Sequence, residues 1–277
     1  MVAVRRSSAV TGYVYAEKDK DPRQLGEAPK SVLGKVGLIL SAFRDNDFAL
    51  SLAELTARTG VAKATVHRLC QELVAGNLLE REGAKYRLGL QLYEIGLRAP
   101  RQRTLREAAR PVIENLAQKL DNAVNLAVPS GSELLVIENA GRHRNRARST
   151  AGGRRLRLHC SAAGKLTLAM LPEQYPLSTV VPQMDRPTPR TLTPARLPAE
   201  LARIREQDYA VEVEEARTGY LAVAVPVRGL DHAYLAALAV IAPTAGSSIP
   251  RLHSALTEAS RAITSRLAIF EAHRAPL

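Results

Sequence analysis

Five polar side chains recur at helical spacing along one side of the segment 62–74. They are Lys63, Thr65, His67, Arg68 and Gln71, and the opposite side carries apolar residues at three- and four-residue steps. Residues spaced in this way share one face of a helix, so the segment predicts a helix with one buried and one polar side. Arginine can bind guanine through two hydrogen bonds, threonine can contact a phosphate or a thymine methyl group, and lysine can neutralise a phosphate. The polar side therefore has the chemistry needed for contact with duplex DNA.

A short hairpin is predicted directly after this helix. Strands are expected at 78–81 and 85–88, and Gly83 between them can adopt the positive φ of a tight turn. Arg81, Lys85 and Arg87 lie on this hairpin, where they can reach the phosphate backbone next to the groove that the helix enters.

The elements that must position the polar helix lie immediately before it. Apolar residues between Val32 and Phe43 recur at three- and four-residue steps and predict a first helix. Ser51 and Glu54 form a capping box that starts a second helix, and Gly60 ends that helix with a sharp turn. Helix, glycine turn, helix and hairpin in this order predict a winged helix-turn-helix that binds the major groove of DNA. The alternative is a small helical bundle with a charged face.

Two other clusters contain groups that take part in catalysis in other proteins. A histidine, a cysteine and a serine stand together at 159–161, but neighbours in sequence rarely converge on one substrate atom, and the chain has no G-x-S-x-G elbow. The second cluster is acidic and consists of Glu212, Glu214 and Glu215. We interpret it as a solvated strand end or as a polar group at a ligand site.

Composition limits the class of protein. The chain has 277 residues, enough for two domains, and Cys70 and Cys160 stand in no ligand-spaced cluster, so no disulfide framework or metal site is predicted. No Walker A loop or dinucleotide-binding glycine motif is present, and we expect no cofactor. We predict a cytoplasmic protein without a membrane segment, because no run of about 18 apolar residues occurs. The net charge of +12 favours a polyanionic partner.

A basic loop is expected between Gly141 and Arg157. It contains seven arginines and no tryptophan, tyrosine or phenylalanine on which bases could stack. We interpret it as a solvated loop or as an anion-attracting rim of a pocket, in preference to a site for single-stranded nucleic acid.

The rest of the chain alternates strands with helices. Alternating apolar residues predict strands at 124–128, 134–137, 221–227 and 234–241, and Ser161 can cap a helix that ends before Pro172. Thr104 and Glu107 are expected to form a capping box for a helix that kinks or restarts at Pro111. The predicted fold class is α+β, with a mainly antiparallel sheet after the winged helix-turn-helix.

Four segments are predicted from these patterns. Residues 1–30 are expected to form a flexible arm and residues 31–92 the DNA-binding domain. Residues 93–108 are expected to form a linker helix, and residues 109–272 the effector-binding domain.

Two stretches of the chain resemble the IclR (isocitrate lyase regulator) family of bacterial transcription factors. The first is similar to the family's helix-turn-helix and wing and reads LAELTARTGVAKATVHRLCQELVAGNLLEREGAKYRLG. The second, at 158–172, is similar to the family's signature at the start of the effector domain and reads LHCSAAGKLTLAMLP. A later stretch, DYAVEVEEARTGYLAVAVPVRG, supports the second match, and the resemblance extends over 31–270.

The resemblance implies a GAF-like effector-binding domain and homodimers that pair largely through the DNA-binding halves, often as dimers of dimers. It implies a regulator that binds double-stranded operator DNA near catabolic genes and responds to a small organic effector; we interpret it as a repressor. Matched position by position, the family's ligand pocket would include Ala162, Ala163, Glu212, Ala222, Ala239 and Ile241.

The chain departs from the family at several of these positions. Family members that bind small polar acids tend to have cysteine or serine where this chain has Ala222, Ala239 and Ile241, and serine is frequent at the DNA-facing position of Ala64. These residues would make the pocket less polar, which predicts that the effector is an aromatic or branched carboxylate and not a two-carbon acid. Two alternatives stay open, namely a hydrolase or transferase with an accessory winged helix and a winged helix that binds another protein.

Overall fold

The computed structural model describes Pro29 and residues 31–44, 47–141 and 154–272. The chain divides into two compact units, Met1–Leu97 and Arg98–Leu277. The arm expected at 1–30 lies almost entirely outside the described residues, as does most of the arginine-rich loop expected at 141–157.

The first unit contains four described helices and a three-stranded sheet. The helices are α1 Val32–Ser41, α2 Leu52–Thr59, α3 Lys63–Ala75 and α4 Leu90–Leu97. The strands are β1 Leu50–Ser51, β2 Leu79–Glu82 and β3 Lys85–Leu88, and they pair antiparallel in the order β1-β3-β2. Fully buried Ile39, Leu55 and Val66 hold the first three helices on one core, each contributing about 1.5–3 kcal/mol through burial.

Local signals explain the boundaries of this unit. The predicted capping box at the start of α2 is present, because the Ser51 hydroxyl accepts from the Glu54 amide while the Glu54 carboxylate accepts from the Ser51 amide. Gly60 ends α2 with φ of +67°, and Gly83 has φ of +60° in the hairpin turn. The predicted helix-turn-helix and wing are confirmed.

The second unit is built on a six-stranded antiparallel sheet. Its strand order is β6-β5-β4-β9-β8-β7, so β6 and β7 lie at the two edges. The strands are β4 Ala123–Ser130, β5 Glu133–Ala140, β6 Arg155–Arg157, β7 Ala210–Val213, β8 Tyr220–Arg228 and β9 Tyr234–Pro243. The predicted α+β class with an antiparallel sheet is therefore confirmed.

Helices cover both faces of this sheet. They are α5 Pro100–Leu120, α6 Ala162–Met170, α7 Leu177–Val180, α8 Leu197–Gln207 and α9 Ile249–Ala272, with a 3-10 turn at Val181–Gln183. Large apolar residues of β8 such as Val223 and Val225 point to the α5 and α9 side, whereas Ala222 and Ala224 point to the α6 side. Alternation thus gives β8, and likewise β9, one side with large side chains and one side with alanines, which we call the alanine face.

The start of α5 differs from the sequence-based prediction. The helix begins at Pro100, whose fixed φ suits the first helical position, and Ala99 is its N-cap. Thr104 lies inside the helix and donates to the Pro100 carbonyl, while Glu107 pairs with Arg103, so the predicted capping box is wrong. The helix also continues through Pro111 without a restart.

Two further segments differ from expectation. Residues 93–108, expected as one linker helix, are divided between α4 and α5, and Leu105 and Ala108 of α5 belong to the core of the second unit. The end of the arginine-rich segment forms β6, which pairs with β5, so Arg155 and Arg157 lie on a strand and not on a loop.

Candidate nucleic-acid interface and effector domain

The polar side of α3 is accessible to solvent. Lys63, Ala64, His67, Arg68 and Gln71 are exposed, and Thr65 is half-buried. The buried side of the same helix is formed by Val66, Leu69, Cys70 and Leu73. The predicted division of this helix into a core side and a polar side is therefore present.

The start of α3 has no side-chain cap. Ala62 occupies the N-cap position and has no side-chain oxygen for the amides of Lys63 and Ala64, whereas its carbonyl accepts from the Thr65 amide. Unpaired amides at a helix N-terminus, together with the helix dipole, favour an anion such as a phosphate. Lys63 adds a positive charge at this end of the helix.

Arg68 forms an ion pair with Glu72 one turn further along α3. Its Nη1 lies 2.5 Å from Glu72 Oε1, and both side chains are more than half exposed. An exposed pair of this kind contributes only about 0.3–0.5 kcal/mol, so little free energy opposes its exchange for another acceptor.

The three basic residues of the wing differ in their surroundings. Arg81 and Lys85 are exposed, and the Arg81 guanidinium donates to the Gly83 carbonyl in the turn. Arg87 is half-buried and donates twice to Glu80, at 2.5 and 2.8 Å. Arg87 therefore holds β2 and β3 together, whereas Arg81 and Lys85 are presented to solvent.

Five of the six residues matched to the family's ligand pocket lie in one apolar cluster between α6 and the alanine face of the sheet. Ala162 and Ala163 form the first turn of α6, Ala222 and Ala239 come from the neighbouring strands β8 and β9, and Ile241 packs against them. The strand register places Glu212, Ala222 and Ile241 in one row across β7, β8 and β9. The structure thus brings the matched residues to one side of the sheet.

Glu212 is a buried carboxylate at the end of this row. Its Oε2 accepts from the amides of Glu215 and Ala216, and only 4% of the residue is exposed. Desolvation by burial raises the pKa of Glu212 to about 7. Because Glu212 and Glu215 are both buried, the interpretation of this cluster as a solvated strand end is wrong.

Lys165 is a buried charge that the sequence patterns did not indicate. It lies on α6 with 1% of its surface exposed, and its Nζ donates to Glu215 at 2.6 Å and to Glu200 at 3.0 Å. A lysine in an otherwise apolar helix requires a carboxylate partner, because an unpaired buried charge is very costly. In the sequence, the acidic cluster at 212–215 is the feature that could have indicated this carboxylate partner.

The residues at 159–161 are each engaged elsewhere. The Ser161 hydroxyl caps α6 and donates to the Arg157 carbonyl at 2.7 Å. His159 Nε2 lies 2.9 Å from the Asp185 carbonyl oxygen. Burial raises the pKa of Cys160 to about 12, so its sulfur is held as the neutral thiol at physiological pH.

The described residues of the second unit form at least two clefts. The first, of about 950 Å³, is lined by residues of α8, β7 and the segment 186–196. The second, of about 670 Å³, is lined by residues of α9 and the end of β8. None of the six residues matched to the family's pocket lines either cleft.

Comparison with protein families assigns both units. Residues 98–265 match the model "Bacterial transcriptional regulator IclR C-terminal", and residues 32–83 match the model "IclR helix-turn-helix domain". The chain belongs to the IclR family. The resemblance found in the sequence is confirmed, and this IclR-family chain is a DNA-binding transcriptional regulator.

Individual relatives agree with this assignment. The transcriptional regulator XynR of Escherichia coli K12 is 30% identical over 207 residues, which cover 73% of this chain and 82% of XynR. The regulator KdgR of the same strain is 28% identical over 261 residues, which cover 91% of this chain and 96% of KdgR. An IclR homolog from Microbacterium hydrocarbonoxydans, solved in complex with 4-hydroxybenzoate, is 28% identical with a TM-score of 0.78, covering 86% of this chain and 100% of that protein.

Membrane-spanning helices and clustered metal ligands are both absent from the described residues of this IclR-family chain. No helix in that part of the chain is long and apolar enough to cross a membrane. Over the same residues, no group of three or more histidine, cysteine, aspartate or glutamate residues could hold a metal ion.

Proposed function

We propose that this regulator reads its operator with the exposed side of α3 and contacts the flanking backbone with the wing. The residues assigned to DNA are Lys63, Ala64, Thr65, His67, Arg68, Gln71, Arg81, Lys85 and Arg87. The observation that carries the proposal is the exposure of Arg68, whose exposed partner Glu72 can be exchanged for a guanine at little cost.

The N-terminus of α3 supports the same placement of this helix against DNA. With no side-chain cap at Ala62, a DNA phosphate can accept from the free amides while Lys63 neutralises its charge. Arg87 is bound to Glu80, so we assign it the role of fixing the wing geometry in addition to any contact with the backbone.

A matched pair of variants tests the DNA contact. Arg68→Ala removes both the ion pair and the base contact, whereas Glu72→Ala removes the ion pair alone. In fluorescence anisotropy with DNA from upstream of the gene, we expect Arg68→Ala to lose about tenfold or more in operator affinity and Glu72→Ala to bind at least as tightly as the wild type. Equal affinity of the two variants would refute this assignment of α3.

We further assign the effector pocket to the alanine face beneath α6. Ala222, Ala239 and Ile241 leave an apolar surface there, which favours an aromatic or branched carboxylate. The 4-hydroxybenzoate complex of the Microbacterium relative supports this ligand class. We expect thermal stabilisation by benzoate and 4-hydroxybenzoate and little by glyoxylate, pyruvate or lactate; the opposite ranking of these monocarboxylates would reject the assignment.

We also propose a homodimer, or a dimer of dimers, in the cytoplasm, acting as a repressor of a neighbouring catabolic operon without enzymatic activity. Exposed apolar side chains on α1 and α4 support pairing of the DNA-binding units, since Leu33 is 82% exposed and Leu90 and Tyr93 are each more than 60% exposed. Sedimentation of the wild type and of Leu33→Lys tests the pairing, which predicts dissociation of the variant at micromolar concentration.

A further inference from the structure

An arginine-rich cleft lies along β7, the edge strand of the six-stranded sheet, outside the residues matched to the family's pocket. Its volume is about 950 Å³. Its charged lining comprises four arginines and two glutamates, namely Arg186, Arg190, Arg196, Arg203, Glu200 and Glu215. Val211 and Val213 of β7 add an apolar wall.

The groups around the cleft leave positive charge uncompensated. Arg203 pairs with Glu200 at 2.7 Å, and Arg190 lies 3.2 Å from Glu214. Buried Lys165 lies behind the lining and contacts two of the carboxylates. Counting the four arginines and Lys165 against Glu200, Glu214 and Glu215, five cations face three carboxylates. Glu212, which lies behind Glu215, is a weaker acid because burial raises its pKa. Such a surplus of two charges matches a dianion.

Glu215 supplies a second and independent feature. Its side chain is about nine-tenths buried, and Oε1 accepts from Lys165 at 2.6 Å. Its other oxygen, Oε2, is buried without a hydrogen-bond partner in the part of the chain that the structure describes. A buried acceptor without a hydrogen bond is destabilising, and a ligand that carries a hydrogen-bond donor would recover this loss.

We propose that this cleft binds a small organic dianion that carries a hydroxyl group, such as a hydroxy-dicarboxylate. The arginines bind the two carboxylates, and the carbon chain packs against Val211 and Val213. Glu215 lines the cleft, and a small rotation of its carboxylate on binding lets the ligand hydroxyl donate to Oε2. The site is additional to the effector pocket proposed beneath α6.

Calorimetric titration of the full chain with L-malate and succinate tests the proposal, because these dicarboxylates differ by one hydroxyl. We expect malate to bind, and to bind about fivefold more tightly than succinate, since one hydrogen bond to the unsatisfied oxygen separates them. The exposed double variant Arg186→Gln/Arg196→Gln should weaken both acids about tenfold or more. Arg110→Gln, an exposed arginine on α5 that pairs with Glu114, removes one positive charge away from the cleft and should leave both affinities unchanged.

Glu215→Gln tests the hydroxyl contact separately. Glutamine keeps a carbonyl oxygen for Lys165 but replaces one acceptor by a donor, so malate should lose its advantage over succinate, while the lost negative charge strengthens the binding of both acids. If Glu215→Gln prevents folding, the double variant Arg186→Gln/Arg196→Gln decides the proposal, because both of these arginine side chains are exposed.

Ala222→Leu separates the cleft from the effector pocket. It fills the alanine face and should abolish stabilisation by 4-hydroxybenzoate while leaving malate binding intact. Failure of the wild type to bind malate, or malate binding lost in Ala222→Leu and kept in the double arginine variant, would overturn the cleft proposal. Operator binding and stabilisation by aromatic acids would be unaffected by that result.

Discussion

The ammonium group of Lys165 lies 2.6 Å from a carboxylate oxygen of Glu215, which is 50 residues further along the chain. The pair joins α6 to the segment that follows β7, and Glu200 of α8 provides a second acceptor at 3.0 Å. Three elements of the effector-binding unit are thus tied together by one buried charge. Burial of Glu215 raises its pKa by desolvation, while Lys165 acts in the opposite direction.

Lys165→Met is predicted to destabilise the second unit by about 3 kcal/mol, because it removes the ammonium group shared by buried Glu215 and partly buried Glu200. Lys119→Met is the matched control. Lys119 is 63% exposed, and its Nζ lies as far as 4.0 Å from Glu258 Oε2, so loss of this weak pair should lower the free energy of unfolding by less than about 1 kcal/mol. Thermal unfolding followed by circular dichroism gives the comparison, and equal melting temperatures of the two variants would contradict a stabilising role for the buried pair.

The first unit could be predicted from sequence because its signals are local. The Ser51 and Glu54 capping box, the turn at Gly60 and the alternation of buried and exposed residues in α3 each involve residues close together in the chain. The same reasoning failed at Thr104, where a local capping signal competed with Pro100, and the proline determined where α5 starts.

The interior of the effector-binding unit could be predicted only in part. Alternation in β8 correctly assigned its large apolar residues to one face of the sheet. The partners of Lys165 come from 35 and 50 residues away, and the Glu212 contacts form only when β7 and the following turn are folded. Such pairs depend on tertiary packing, and no periodicity in the sequence encodes them.

The pKa of Glu212 predicts how stability depends on pH. In the folded chain the pKa is about 7, compared with 4.5 in the unfolded chain, so the folded state holds the proton more tightly. Below pH 4.5 Glu212 is protonated in both states, and its burial does not lower the free energy of unfolding. Between pH 4.5 and 7 the free energy of unfolding falls as pH rises, and above pH 7 the loss is constant at up to about 3 kcal/mol.

Glu212→Gln should remove this dependence, because glutamine cannot ionise yet keeps an oxygen for the amides of Glu215 and Ala216. The stability of the variant relative to the wild type should therefore increase from pH 4.5 to 7. Urea unfolding at several pH values measures the difference, and parallel stability curves for the two proteins would show that Glu212 is not the responsible group.

Lys63 is predicted to contribute a phosphate contact at the α3 N-terminus. Neutralisation of one phosphate releases counterions, so Lys63→Gln should reduce the slope of log affinity against log salt by about one while weakening binding to all sequences alike. Lys119→Gln, on the second unit, removes the same charge and should leave the slope unchanged. A Lys63→Gln variant with the wild-type slope would place the helix end away from the backbone.

Gly164 is predicted to be irreplaceable because α6 lies so close to the preceding chain. A Cβ at this position would lie 2.4 Å from the carbonyl oxygens of Arg157 and Leu158, which are backbone atoms and cannot rotate away. We expect Gly164→Ala to cost about 3 kcal/mol and to displace the first turn of α6, which lines the proposed effector pocket. Gly37→Ala is the control, since Gly37 lies in α1 and an added Cβ would meet no atom within 4 Å; alanine there should stabilise the helix by about 1 kcal/mol. The same change from glycine to alanine should therefore lower the melting temperature at position 164 and raise it at position 37. A Gly164→Ala protein with the melting temperature of the wild type would mean that α6 can move away from the sheet at no cost.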